Sequence, residues 1–121
     1  VSLNEASNNP AYVLGRLFSI YENVQQAANR GIKATIKDKY FNSAAAMPAS
    51  IFPVLNNLYQ KHLRKLSPGL RKYFDNQVVE LKSKLGESYP VRMTLAQQGA
   101  FDLGYYHQRN SKSNGEDQNN D

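Results

Sequence analysis

An all-α bundle of about five helices is the fold this sequence predicts, and three observations predict it. Apolar residues recur at three- and four-residue spacing through several long segments, two of these open on a cap residue followed by proline, and no run alternates apolar and polar residues as a strand would. At 121 residues the chain is sized for a single domain, which buries well over half the surface of the unfolded chain and needs no staple. It has no cysteine, so disulfides and thiolate zinc sites are excluded and a reducing cytoplasm suits it. Its apolar runs are short and interrupted by charge, with no leader pattern, so the expectation is a cytoplasmic protein without a membrane partner. Residues 1–8 read as a lead-in and 9–110 as the helical bundle. Residues 111–121, "SKSNGEDQNND", form a polar tail with nothing apolar to bury, expected to be disordered.

Asn9-Pro10 opens the first helix, which should run to about Arg30 with Gly31 just past its end. Leu14, Leu17, Phe18, Tyr21, Val24 and Ala28 share one face, and Arg16, Asn23 and Arg30 lie opposite, free to meet solvent or phosphate. A short second helix fits Thr35 to about Ala46 and must stop near Met47, because a residue before proline disfavours the α region. Ser50 is the expected cap of the third helix, with Pro53 in its first turn and Leu55, Leu58, Tyr59, Leu63 and Leu66 as the buried stripe. Ser67-Pro68 starts a fourth, carrying Leu70, Tyr73, Phe74, Val78, Leu81 and Leu85 to Gly86. Thr94 and Gln97 have capping-box spacing, so the fifth begins at Leu95. In it, Gly99, Ala100 and Gly104 permit close approach of another helix, within the chain or between chains, although glycine weakens a helix by about 1 kcal/mol relative to alanine.

No catalytic constellation emerges from the residue types. His62 and His107 lie in different helices, and neither HExxH, P-loop, GxGxxG nor a nucleophile elbow occurs. His62 falls on the apolar face of the third helix, where a hydrogen-bonded core histidine is the expectation; His107 in "GYYHQR" suits packing or a polar contact. Asp75 and Glu80 are five apart and are not helix-face neighbours. The expectation is a protein that is not an enzyme, with no metal, cofactor or small-molecule substrate.

Charge is the more informative signal. Fourteen basic and seven acidic residues precede Ser111, and between Arg30 and Lys72 nine cations oppose Asp38 alone. Such a field attracts polyanions. Tyr40, Phe41 and Tyr59 lie near these cations in sequence and could stack on bases, but helix-spaced aromatics are more often core, so binding is assigned to the basic residues and packing to the rings.

Three ordered segments, "NPAYVLGRLFSIYENVQ", "IKATIKDKYFNSAAAMPASIFPVL" and "QQGAFDLGYYHQR", closely resemble the carboxy-terminal helical region of the large subunit of type I-C CRISPR Cascade. In that family the region also occurs as a separate small subunit, produced by internal translation within the large-subunit gene. The resemblance covers roughly residues 9–109, and the start just before "NPAY" points to the free small subunit. It implies an RNA-guided surveillance complex in which helical small subunits line the guide RNA–target DNA duplex and help hold the displaced non-target strand, while a separate helicase-nuclease cuts. Base pairing supplies specificity there, and protein contacts to the backbone tip a nearly balanced strand exchange. The implied partners are the nucleic acids, the large and backbone subunits, and further copies of the same chain.

On this reading the candidate nucleic-acid-binding residues are Arg16, Arg30, Lys33, Lys37, Lys39, Lys61, Arg64, Lys65, Arg71 and Lys72. Arg16, Arg30 and Arg64 carry the strongest expectation, since they lie opposite apolar stripes. Two other classes stay open: an assembly adaptor whose surface meets protein subunits, and an independent helix-turn-helix regulator, for which no clear turn signature is present.

Overall fold

Asn9 starts the first helix as its position predicts: its Oδ1 accepts the Ala11 N–H at 3.0 Å, and Pro10 fills the first turn, where its missing N–H costs nothing. The computed structural model describes the backbone of residues 2–120 and the side chains of residues 2–111. It contains α1 (Pro10–Ala28), α2 (Ile36–Ala46), α3 (Pro48–Leu63), α4 (Pro68–Ser83) and α5 (Leu95–Asn120). Among the described residues there is no strand, so the all-α expectation holds. The expectation of a disordered tail falls on residues 111–121, of which the side chains of 112–120 and all of residue 121 lie outside the described residues.

Local chemistry sets most boundaries. Gly31, at φ 85°, turns the chain away after α1 in the left-handed conformation that glycine adopts without strain. Thr35 and Asp38 form a capping box for α2, with the Thr35 N–H donating to Asp38 Oδ2 at 2.7 Å. Ser67 accepts the Leu70 N–H ahead of α4, and Thr94 and Gln97 exchange bonds of 2.8 and 3.1 Å ahead of α5. The α2–α3 corner departs from expectation. Ser50 does not cap α3; the helix starts at Pro48, which places Pro53 in its interior rather than its first turn. The reason lies far away in sequence. The Ala49 N–H donates to the Pro90 carbonyl at 3.0 Å and the Met93 N–H donates to the Ala46 carbonyl at 2.9 Å, so the α4–α5 connection satisfies groups that both helix ends leave open.

Helix α1 is the axis of the bundle and touches all four others, with α5 laid along it most extensively. Thirteen of its 19 residues are buried, so the expected division into a core stripe and a free stripe does not hold. Two glycines make the α1–α5 approach possible. A Cβ on Gly15 would lie 2.0 Å from the Phe101 carbonyl oxygen, and one on Gly104 would lie 2.1 Å from that of Tyr12. Each glycine therefore points a Cα–H at a carbonyl across the interface, a weak bond available only at this separation. Gly104 fulfils its expectation. Gly99 does not meet another helix in the chain, and the role of Gly15 leaves no mark in the apolar spacing of α1.

The core is aromatic. Tyr21 stacks on Tyr59 at 4.6 Å and 19°, while Phe18 and Phe41 meet each other, Phe101 and Tyr105 edge-on. The rings near the cations thus serve packing, as expected. On α4 the buried row narrows to Phe74, Val78 and Leu81, because α4 packs chiefly on α1; Leu70 and Tyr73, placed in the core by their spacing, are exposed. Hydroxyls close the core: Tyr59 donates to Asp75 at 3.0 Å, and the buried Glu22 accepts from Tyr105 and, at 2.6 Å, from Thr35.

Burial, aided by the bonds to Asp75 and Glu22, pushes the Tyr59 and Tyr105 phenols well above their usual range, and burial does the same to Tyr21. The unfolded chain releases these protons near pH 10 while the native protein keeps them, so their contribution is intact below pH 10 and lost as pH rises above it. Melting temperature should fall steeply above pH 10, by up to about 1.4 kcal/mol of stability per pH unit for each tyrosine. Thermal melts across this range check it: Tyr59→Phe should flatten the fall, and a wild-type stability that is level to pH 11 excludes it.

Candidate nucleic-acid interface

The helix termini gather most of the cations. Arg30 follows the end of α1; Lys61, Arg64 and Lys65 occupy the end of α3 and the turn after it; Arg71 and Lys72 sit in the opening turns of α4; all six are exposed. One bond joins these ends: Lys65 Nζ donates to Asn29 Oδ1 at 3.3 Å, setting the α3 terminus beside the residue that precedes Arg30. Lys33 is exposed in the α1–α2 connection. Asp38, the lone acid of this stretch, accepts the Thr35 N–H at the start of α2. Lys61 also lies in the last turn of α3, where its positive charge complements the helix dipole.

His62 is half-buried rather than in the core. Burial, with Lys65 and Lys61 next in effect, holds its imidazole below the usual range, which keeps it neutral at pH 7. His107 makes the polar contact expected of it, its Nδ1 2.8 Å from the Tyr12 hydroxyl.

Lys37 and Lys39 stand apart from this cluster. The Lys37 ammonium lies 5.4 to 5.8 Å from the ring centres of Phe41, Tyr105 and Tyr106, and Lys39 lies 5.2 Å over Tyr40. Both cations thus have π-faces as partners. Lys39 is exposed, whereas Lys37 is half-buried and committed to the α2–α5 junction.

Arg16 requires a correction. It is only 7% exposed, closed in where α5 lies along α1, and its Nε donates to Gln108 Oε1 at 2.9 Å. Among the described residues its buried Nη1 finds no partner. Burial lowers its pKa, against the pull of Glu5, Tyr12 and Glu80. The face of α1 opposite the apolar stripe is free only toward its C-terminal half, because α4 and α5 cover the rest. About 18 Å of helix separates Arg16 from Ala28, near the cationic end.

That remaining face borders a groove of about 820 Å³ between α1, α4 and α5. Asn23, Gln26, Gln77 and Gln108 line it, with Arg30 and the exposed Tyr73. The spacing of Arg16, Asn23 and Arg30 points to this side of α1; the contribution of Tyr73 is hidden in the sequence because an aromatic ring beside Phe74 reads as core. No group of three or more histidine, aspartate or glutamate side chains that could hold a metal occurs among the described residues, and none of the described helices is long and apolar enough to cross a membrane.

Fold and site together define an all-α protein with a cationic end. The model of one family, CRISPR-associated protein (Cas_Csd1), matches residues 1–112. The chain belongs to this CRISPR-associated family. No curated protein matches it.

Proposed function

We propose that this chain acts as the small subunit of type I-C Cascade, a non-catalytic helical module that lies along the guide–target duplex and steadies the R-loop and its displaced strand through backbone contacts. The observation that carries the reading is the convergence of Arg30, Arg64, Lys65, Arg71 and Lys72 on the joined ends of α1, α3 and α4. Exposed cations neutralise phosphates irrespective of base sequence, which suits a complex whose specificity comes from pairing. Lys33 and Lys61 extend the same surface; Lys39, over Tyr40 on α2, stands apart from it, Lys37 contributes less and Arg16 is no part of it.

The test is R-loop formation by guide-loaded complex assembled without the subunit, then supplied with wild type or with an Arg30→Glu/Arg64→Glu/Arg71→Glu variant. Wild type should restore the R-loop and the variant should not, while still assembling. For every phosphate that the variant leaves unneutralised, the slope of log affinity against log salt should shrink by about 0.7–0.9. Equal rescue by the variant would refute the assignment.

A second reading, an assembly adaptor, is favoured by one observation. Leu95 (86% exposed), Leu103 and Tyr106 stand exposed along α5, and a Cβ at Gly99 would meet open space. Failure of the charge-reversal variant to join the complex, with single-strand affinity intact, would support that reading.

A further inference from the structure

We propose that the groove between α1, α4 and α5 takes an unpaired nucleobase of the strand held by the neighbouring cations, stacking it on Tyr73. The inference rests on the nucleic-acid reading above and adds to it a contact with bases rather than phosphates.

Four observations converge. The groove, about 820 Å³, falls within the roughly 300–1,000 Å³ typical of pockets that enclose small ligands. Among the described residues no carboxylate lines it, while Arg30, a member of the cationic end, does. Tyr73 is 57% exposed and meets Phe74 edge-on at 5.2 Å and 70°, a contact that steadies the ring while leaving more than half the residue open. Asn23, Gln26 and Gln77 supply amides with both donors and an acceptor, and Gln108 adds a donor, so the edge of any base finds a complement without selection among the four bases.

Gln108 is also pre-oriented. Arg16 Nε holds its Oε1 at 2.9 Å, which leaves the amide NH₂ as the end available to a ligand. The buried arginine that contacts no phosphate thus positions a groove residue. A protein helix would need a continuous apolar trough, and here four amides and an arginine interrupt one.

Two labelled strands of equal length, oligodeoxythymidylate and an abasic strand with the same phosphates, separate base from backbone binding. At low salt the full chain should bind the thymidylate strand about tenfold more tightly, from stacking of a single base. Tyr73→Ala should erase this preference and leave abasic binding and its salt dependence unchanged, and Tyr73→Phe should retain it. Because Tyr73 is exposed, the alanine variant should keep its helical circular dichroism. Equal binding of both strands by wild type, or a preference that survives Tyr73→Ala, overturns the base groove alone. Failure to bind either strand overturns the nucleic-acid reading with it.

Discussion

Alanine at Gly15 or Gly104 should cost about 3 kcal/mol or more and lower the melting temperature by at least 10 °C or so, despite the better helix propensity of alanine. The obstruction is backbone on both sides: the new methyl would lie 2.0 or 2.1 Å from a carbonyl oxygen of the facing helix. A side chain can rotate away from such a clash, whereas a helical carbonyl moves only if α1 and α5 separate. Separation would loosen the contacts of Phe18 with Phe101 and Tyr105. Against a typical domain stability of about 5–15 kcal/mol, either substitution leaves a marginal fold, and both together should abolish it. Gly99→Ala provides the control. Its Cβ meets nothing, so it should stabilise by about 0.5–1 kcal/mol. Thermal denaturation of the four variants decides the matter; a Gly104→Ala protein as stable as wild type would mean the helices stand farther apart than described.

Arg16→Glu should destabilise the protein by about 3–5 kcal/mol, before any question of nucleic acid arises. The substitution replaces a buried cation with a carboxylate near Glu5 and Glu80, whose charges favour a cation there, and it removes the bond to Gln108. Arg16→Met should cost far less, because it also removes the desolvation of a guanidinium whose Nη1 lacks a partner among the described residues. Denaturant unfolding of the two variants tests the assignment. An Arg16→Glu protein of wild-type stability with weakened DNA binding would restore Arg16 to the interface.

Arg16 and Arg30 show why helix periodicity reads some of this molecule and not the rest. Asn9-Pro10, Ser67 and Thr94 act on their own first turns, so their caps are legible locally. The row through Arg16, Asn23 and Arg30 is also legible, but which part of it a neighbour covers depends on where α4 and α5 lie. Burial of Arg16 and exposure of Arg30 are properties of packing order, not of spacing. The same holds at Ser50, a sound cap by composition that Pro90 and Met93 displace from across the fold. Leu70, four residues before Phe74, keeps register with the α4 core row and still protrudes, because register fixes direction but not whether anything stands there; Tyr73, one residue before Phe74, lies about 100° around the helix from it and faces off the row.

The pairing of α1 with α5 has a consequence for synthesis. Gly15 and Gly104 stand in α1 and α5, so the most extensive interface joins the two of these five helices whose synthesis is farthest apart in time. Until Tyr105 appears, Phe18 and Glu22 have an open side and the nascent chain carries an unfinished apolar surface. This closure is non-local, which slows folding relative to bundles joined neighbour to neighbour. Completion of the bundle therefore waits on translation of α5, which arrives as the stave that closes the barrel.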